Sequence, residues 1–211
     1  MILEIFNSGP LETNAILLAC EKTKKAIAID PAYGSKDKII NKAKKLGVSI
    51  EKIYLTHSHW DHIADLAALK KELQCPVFVH KDDKENVENP GSDGLPLFFG
   101  IAGTKVDEFL EEGQTHQIGE LEFTVFHTPG HCPGAVCFYF EKQELLISGD
   151  TLFKGSFGNL SFPGCDEDKM FASLKKLAKL PKQTVVVPGH GPNTTIGNEP
   201  WLENAKDYFG L

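Results

Sequence analysis

Residues 56–62 read Thr-His-Ser-His-Trp-Asp-His, three imidazoles and a carboxylate in seven positions. Nitrogen and oxygen donors in such density suit zinc, iron or manganese. Three further segments add donors beside glycine: Thr128-Pro129-Gly130-His131, Ser148-Gly149-Asp150-Thr151 and Pro188-Gly189-His190-Gly191. His57 and His59 are two apart, so on extended chain they face one way and can share a cation. If the chain then turns into a helix, Asp61 and His62 are re-aimed at a neighbouring point. His131 supplies a third imidazole and His190 a fourth, and Asp150 is a carboxylate that could bridge. The expected ligands are therefore His57, His59 and His131 at one position and Asp61, His62 and His190 at another, joined by Asp150. About three ligands per cation leave an open position, as catalytic zinc sites do. A water between two such cations would be hydroxide near neutral pH and would serve as the nucleophile. Asp61 is the expected catalytic carboxylate, orienting that hydroxide or taking its proton. The cofactor expectation is two divalent metal ions, zinc first, with iron or manganese suited to the same donors.

The other histidines, His80, His116 and His127, read as ordinary hydrogen-bonded residues, with His127 placed to support a ligand from outside. Cysteines at 20, 75, 132, 137 and 165 form no CxxC pair. A sparse, odd set with no recognisable export signal at the start reads as reduced and cytoplasmic. A closed structural zinc site would prefer more cysteine. Cysteine–histidine catalysis through Cys132 has little support, because His131 is better used as a ligand. Neither a GxSxG elbow nor a P-loop is present.

Each donor cluster directly follows an apolar run: Lys52–Leu55, Thr124–His127, Leu145–Ser148 and Thr184–Pro188. Strand ends meeting at one edge would bring the clusters together, and function is commonly carried on loops over such a scaffold. Other β-rich runs are 3–6, 14–20, 25–30, 76–80 and 135–141. Helical spacing marks 35–47, capped by Ser35 and stopped by Gly47, and also 63–73, 166–180 and a closing helix over 199–209. Residues 89–105 are Gly/Pro-rich and apolar together, which reads as a loop over a site or a partly helical flap. Residues 115–148 look hairpin-like without intervening helices. A layered α/β (α+β) fold with mixed sheets fits better than a parallel one. The 211 residues suit a single domain.

Net charge is −7, and all 22 basic residues are lysine. Without arginine's planar fork, a nucleic-acid partner is not expected. No apolar run approaches the ~20 residues of a membrane span, so no membrane partner is expected either.

The ordered set of motifs resembles the metallo-β-lactamase superfamily, and within it a glyoxalase II-like (hydroxyacylglutathione hydrolase-like) enzyme. It is carried by Thr56–His62, Thr128–His131, Ser148–Phe153 and Pro188–Pro192. The resemblance implies a four-layer αββα sandwich, two mixed β-sheets flanked by helices, with a metal pair at one edge. It further implies a metal-dependent hydrolase acting on a small-molecule thioester or ester such as S-lactoylglutathione. The alternatives are a mononuclear iron, persulfide dioxygenase-like oxidoreductase and a non-enzymatic metal-binding protein. Several departures bear on the substrate. Full glyoxalase II carries a C-terminal helical domain, and this sequence ends about where that would begin. The family commonly reads Gly-Arg-x-Asp or Gly-Lys where this chain has Gly158-Asn159-Leu160-Ser161, so a cation that could bind a substrate carboxylate is missing at Asn159. Cys132 stands where Thr or Ser usually follows the third histidine, and the tail departs at Asn198-Glu199-Pro200-Trp201. Lys154 is the nearest candidate in sequence to replace the missing cation.

Overall fold

The computed structural model describes residues 1–210. The first half supplies the strands β1 (Ile2–Ser8), β2 (Thr13–Ala19), β3 (Lys25–Ile29), β4 (Ser49–Tyr54), β5 (Val77–His80) and β6 (Glu108–Leu110). The second half supplies β7 (Thr115–Ile118), β8 (Leu121–His127), β9 (Val136–Phe140), β10 (Leu145–Gly149), β11 (Val185–Pro188) and β12 (Thr194–Thr195). They form two six-stranded sheets among the described residues, ordered β1-β2-β3-β4-β5-β6 and β12-β11-β10-β9-β8-β7. Both are mixed. In the first, β3 through β6 pair in parallel and β1–β2–β3 antiparallel. In the second, only β10 and β11 run parallel.

The layers follow from strand periodicity. Side chains alternate across a strand, and β2 is buried along its whole length. Its Ile16 and Leu18 face Phe123, Val125, Phe138 and Phe140 of the other sheet. Its Ala15, Leu17 and Ala19 face the outer helices α1 (Lys36–Leu46) and α3 (Leu66–Leu73) through Ile39, Ile40 and Leu69. On the far side, Tyr139, Leu146 and Val186 meet Met170, Leu174 and Leu177 of α5 (Glu167–Leu177). Three apolar interlayers separate four layers, the expected αββα sandwich. No helix of the described residues is long and apolar enough to cross a membrane.

Several local expectations are corrected. The helix expected over 63–73 is two pieces, α2 (Trp60–Ile63) and α3, broken at Ala64 and Asp65. Asp65 bonds elsewhere: its N–H donates to the Pro31 carbonyl and its carboxylate accepts from Lys36 N. Ser35 precedes α1 but is itself in helical conformation, at φ −89° and ψ −24°, and makes no side-chain cap. Gly47 does end the helix, at φ 65°. The closing helix expected over 199–209 reduces to a 3₁₀ turn at Leu202–Asn204 and α6 (Ala205–Phe209), following the short α4 (Lys84–Glu88) and α5 in chain order. Its first residue, Glu199, is instead buried as an acceptor for Thr194 Oγ1, Trp201 Nε1 and Gly155 N. The short strands β6 and β7 gave no clear signal in the sequence. Residues 89–105 contain no helix or strand.

Candidate metal centre

Strand ends do converge. His57 and His59 lie on the extended segment after β4, and α2 then lifts Asp61 and His62. His131 follows β8, Asp150 follows β10 and His190 follows β11. The loops are tied by backbone bonds: Val136 N donates to Thr56 O at 2.8 Å, Gly189 N to Gly149 O at 2.8 Å and Asn14 N to Gly189 O at 2.7 Å. Glycine is needed at 189 because a Cβ there would stand 2.1 Å from Asp150 Oδ1 and 2.8 Å from His62 Cε1.

The seven candidate ligands come together as sets whose donor atoms lie within 4.8 Å of one another: His57, His59 and His131; His57, His62 and Asp150; Asp61, His62 and His190. Asp150 lies between the groups, with Oδ1 3.4 Å from His62 Nε2 and Oδ2 3.6 Å from His131 Nε2 and 3.5 Å from His190 Nε2.

Four of the rings are oriented from behind. The Nδ1–H of His62 donates to Asp30 Oδ2 at 3.0 Å, that of His131 to Asn159 O at 2.8 Å and that of His190 to Leu11 O at 3.0 Å. Thr56 Oγ1 donates to Asp30 at 2.6 Å and so accepts from His57 Nδ1 at 3.1 Å. Every one of these rings then turns an Nε2 lone pair inward when neutral. His57 Nε2, His131 Nε2 and Asp150 Oδ1 are buried without a hydrogen-bond partner. Unpaired buried polar atoms are costly, and these converge on common points, so the residues fit a pair of divalent cations.

The electrostatics without metal carry the same message. Burial depresses His57 well below its ordinary value, with His62 adding to it, and burial and His131 hold His59 at about 3. Burial also opposes charge on His62 and His190, but the Asp61 and Asp150 carboxylates outweigh it, lifting His62 well up and His190 to about 9. Burial pushes Asp61 up, yet His62, His190 and Thr13 overcome it and leave the carboxyl at about 2. Asp150 is likewise pulled well below the carboxylate range by His62 and His190 in spite of burial. Protons on His62 and His190 thus compensate the two carboxylates where cations otherwise would.

Of the residues expected to contact substrate, Asn159 lines the cavity over the centre, whereas Lys154 is exposed and outside that lining. His127 supports no candidate ligand: its Nε2 donates to Pro133 O at 2.9 Å and its ring stacks on His80 at 4.1 Å. Burial and the Asp83 carboxylate push the Cys132 thiol well up, away from the thiolate a nucleophile needs. The sequence reading missed the supporting residues Asp30, Thr13, Asp83 and Asn86. Thr13 Oγ1 donates to Asp61 Oδ2 at 2.7 Å, Asp83 accepts from Ser58 N at 2.6 Å and Asn86 Nδ2 donates to Ser58 O at 2.7 Å. A polar residue closing an apolar strand run, as Asp30 closes Lys25–Ile29, is the one signal that pointed to any of them.

Compared with known proteins, the model of the metallo-beta-lactamase superfamily matches residues 8–190, a span that includes all seven candidate ligands. The hydroxyacylglutathione hydrolase GloC of Haemophilus influenzae is 30% identical over 207 residues, 94% of this chain and 95% of that protein. The solved BLEG-1 B3 metallo-beta-lactamase matches with a TM-score of 0.88 at 36% identity, covering 95% of this chain and 99% of that one. TTHA1623, solved in a di-iron-bound form, matches with a TM-score of 0.81 at 38% identity, covering 96% and 99%.

Proposed function

Because this chain belongs to the metallo-β-lactamase superfamily, we propose that it is a glyoxalase II-like hydrolase of acyl thioesters or esters working with two divalent cations. The observation that carries the reading is the inward convergence of unpartnered donors, His57 Nε2, His131 Nε2 and Asp150 Oδ1 among them. His57, His59 and His131 would hold one cation, Asp61, His62 and His190 the other, and Asp150 would join them. When bound, the pair would polarise an acyl carbonyl and bring a water towards hydroxide near neutral pH. Zinc or iron suits these donors, and the di-iron form of TTHA1623 supports including iron.

The chain's own residues then have definite tasks. Asp61 engages Thr13 and His190 through Oδ2, which leaves Oδ1 to accept a hydrogen bond from the attacking water and orient it. A carboxylate that also holds a cation is a weak base, so orientation is its stronger role. Asn159 uses Oδ1 on Ser161 N at 2.6 Å, and its Nδ2 remains to donate to a substrate oxygen. The likeness to GloC supports a thioester. The likeness to BLEG-1 favours a second reading, hydrolysis of the cyclic amide of a β-lactam.

Metal analysis followed by a substrate panel tests the proposal: S-lactoylglutathione, neutral thioesters, esters and a β-lactam, each with and without chelator. We expect chelator-sensitive thioester or ester hydrolysis. Hydrolysis of the β-lactam alone would shift the reading to the second, and oxygen uptake with a persulfide would replace both.

A further inference from the structure

The candidate ligands His59, Asp61, His131, Asp150 and His190 form the floor of a cavity of about 480 Å³, a size that holds a small organic molecule. Its walls are Leu11, Trp60, Leu95, Phe98, Phe153 and Phe162. These come from separate segments yet stand close to the imidazoles. The Phe162 ring is 5.8 Å from His59 and 6.0 Å from His131, and the Phe153 ring is 6.0 Å from His190. Trp60, between two candidate ligands in sequence, carries Phe98 of the 89–105 loop at 5.5 Å. That loop is held by Asn86, whose Oδ1 accepts from Gly91 N and Asp93 N while its amide reaches Ser58.

Three of the wall residues are exposed: Phe98 at 74%, Leu11 at 51% and Phe162 at 37%. Scattered apolar exposure is ordinary, but apolar exposure gathered around one mouth marks a binding surface. The polar inventory points the same way. Outside the histidines and aspartates, Asn159 is the one polar side chain in the lining among the described residues. No lysine lines it, and the chain has no arginine. A glutathione thioester carries carboxylates that would lie along these walls, where no fixed cation meets them.

Resting on the hydrolase reading above, we infer that the substrate is a thioester or ester with an apolar acyl group, aromatic or alkyl, and an uncharged leaving group. Water's oxygen bonds to the acyl carbon. The carbon–sulfur or carbon–oxygen bond breaks, its electron pair leaves on sulfur or oxygen, and that atom takes a proton from the water. The products are a carboxylic acid and a thiol or alcohol, and no oxidant or reductant is required.

The test uses the metal-loaded protein and matched pairs: acetyl, hexanoyl and benzoyl thioesters of N-acetylcysteamine, which are neutral, and of glutathione. We expect kcat/KM to favour the neutral member of each pair by about tenfold or more, and to rise from acetyl to hexanoyl and benzoyl by a similar factor. Phe98→Ala removes a largely exposed ring that the core does not need. It should raise KM for the hexanoyl and benzoyl substrates by a larger factor than for the acetyl one. Preference for the glutathione member, or a Lys154→Ala effect on KM confined to glutathione thioesters, would overturn this inference and leave the hydrolase reading standing. Failure to hydrolyse any thioester or ester would overturn the hydrolase reading, and this inference with it.

Discussion

His62 Nε2 lies 3.3 Å from His190 Nε2, while each ring's Nδ1 is committed elsewhere, to Asp30 and to the Leu11 carbonyl. Two neutral imidazoles so arranged aim lone pairs at each other. A shared cation between them, or protons balanced by Asp61 and Asp150, makes the arrangement stable. Much of the behaviour we expect of this protein follows from that choice.

Asp30 supports both groups of ligands, through His62 directly and through Thr56 to His57. Asp30→Asn keeps an acceptor but loses the charge that makes His62 a better donor to a cation. Outer partners of this kind are worth about 10–100-fold in metal affinity. A competition titration against a chelator should show a loss in that range. Wild-type affinity in the variant would remove Asp30 from the site.

Gly189→Ala should be disproportionately harmful for a single methyl, because the new Cβ meets Asp150 and His62 at once. We expect lower metal content in a folded protein. Gly100→Ala, where no atom lies within 4 Å, serves as the control and should retain full metal. Equal metal content in the two variants would contradict the close approach at Gly189.

Metal-free protein should have a stability maximum near pH ~6.5. Burial keeps His57 well below that ordinary value and His59 at about 3, so on acidification the unfolded chain takes up protons the folded chain refuses, and stability falls. Asp61 at about 2 and the depressed Asp150 extend the loss through the carboxylate range. On the alkaline side His62 is raised and His190 sits at about 9, so the folded chain retains protons that the unfolded chain releases, and stability falls again. Cations need the deprotonated rings, so metal should erase the alkaline limb. Melting temperatures across pH 5–10, with and without chelator, provide the check. A chelated protein that gains stability steadily from pH ~6.5 to ~9 would contradict the paired charges.

Phe138 is fully buried between the sheets and touches the rings of Tyr54 and Phe123 at 5.7 Å and 5.2 Å. Phe138→Ala should cost about 3–5 kcal/mol by chemical denaturation. A cost under about 1 kcal/mol would mean that the interlayer repacks freely.

The layers and the convergence of the candidate ligands were legible because both rest on local pattern. The unbroken apolar run Ala15–Ala19 and the helical stripe of Glu167–Leu177 report burial directly, and the spacing of His57, His59, Asp61 and His62 reports a strand running into a helix. What was hidden depends on partners distant in sequence. Asp65 breaks the expected helix by bonding to Pro31 and Lys36. Glu199 leaves the closing helix for Thr194, Trp201 and Gly155. Asp30 reaches Thr56 and His62 from the end of another strand. Lys154 and Phe153 are neighbours in sequence, yet the cavity takes Phe153 and leaves Lys154 outside, a distinction that spacing cannot make.

Asp150 would join the pair of cations, with its oxygens standing 3.4 Å from His62, 3.6 Å from His131 and 3.5 Å from His190. Elemental analysis of wild-type and Asp150→Ala protein, each saturated with zinc or iron and freed of excess, measures it directly. We expect two equivalents per chain in the wild type and weakened binding at both positions in the variant. One equivalent in the saturated wild type, or one position in Asp150→Ala retaining wild-type affinity, would contradict the joined pair.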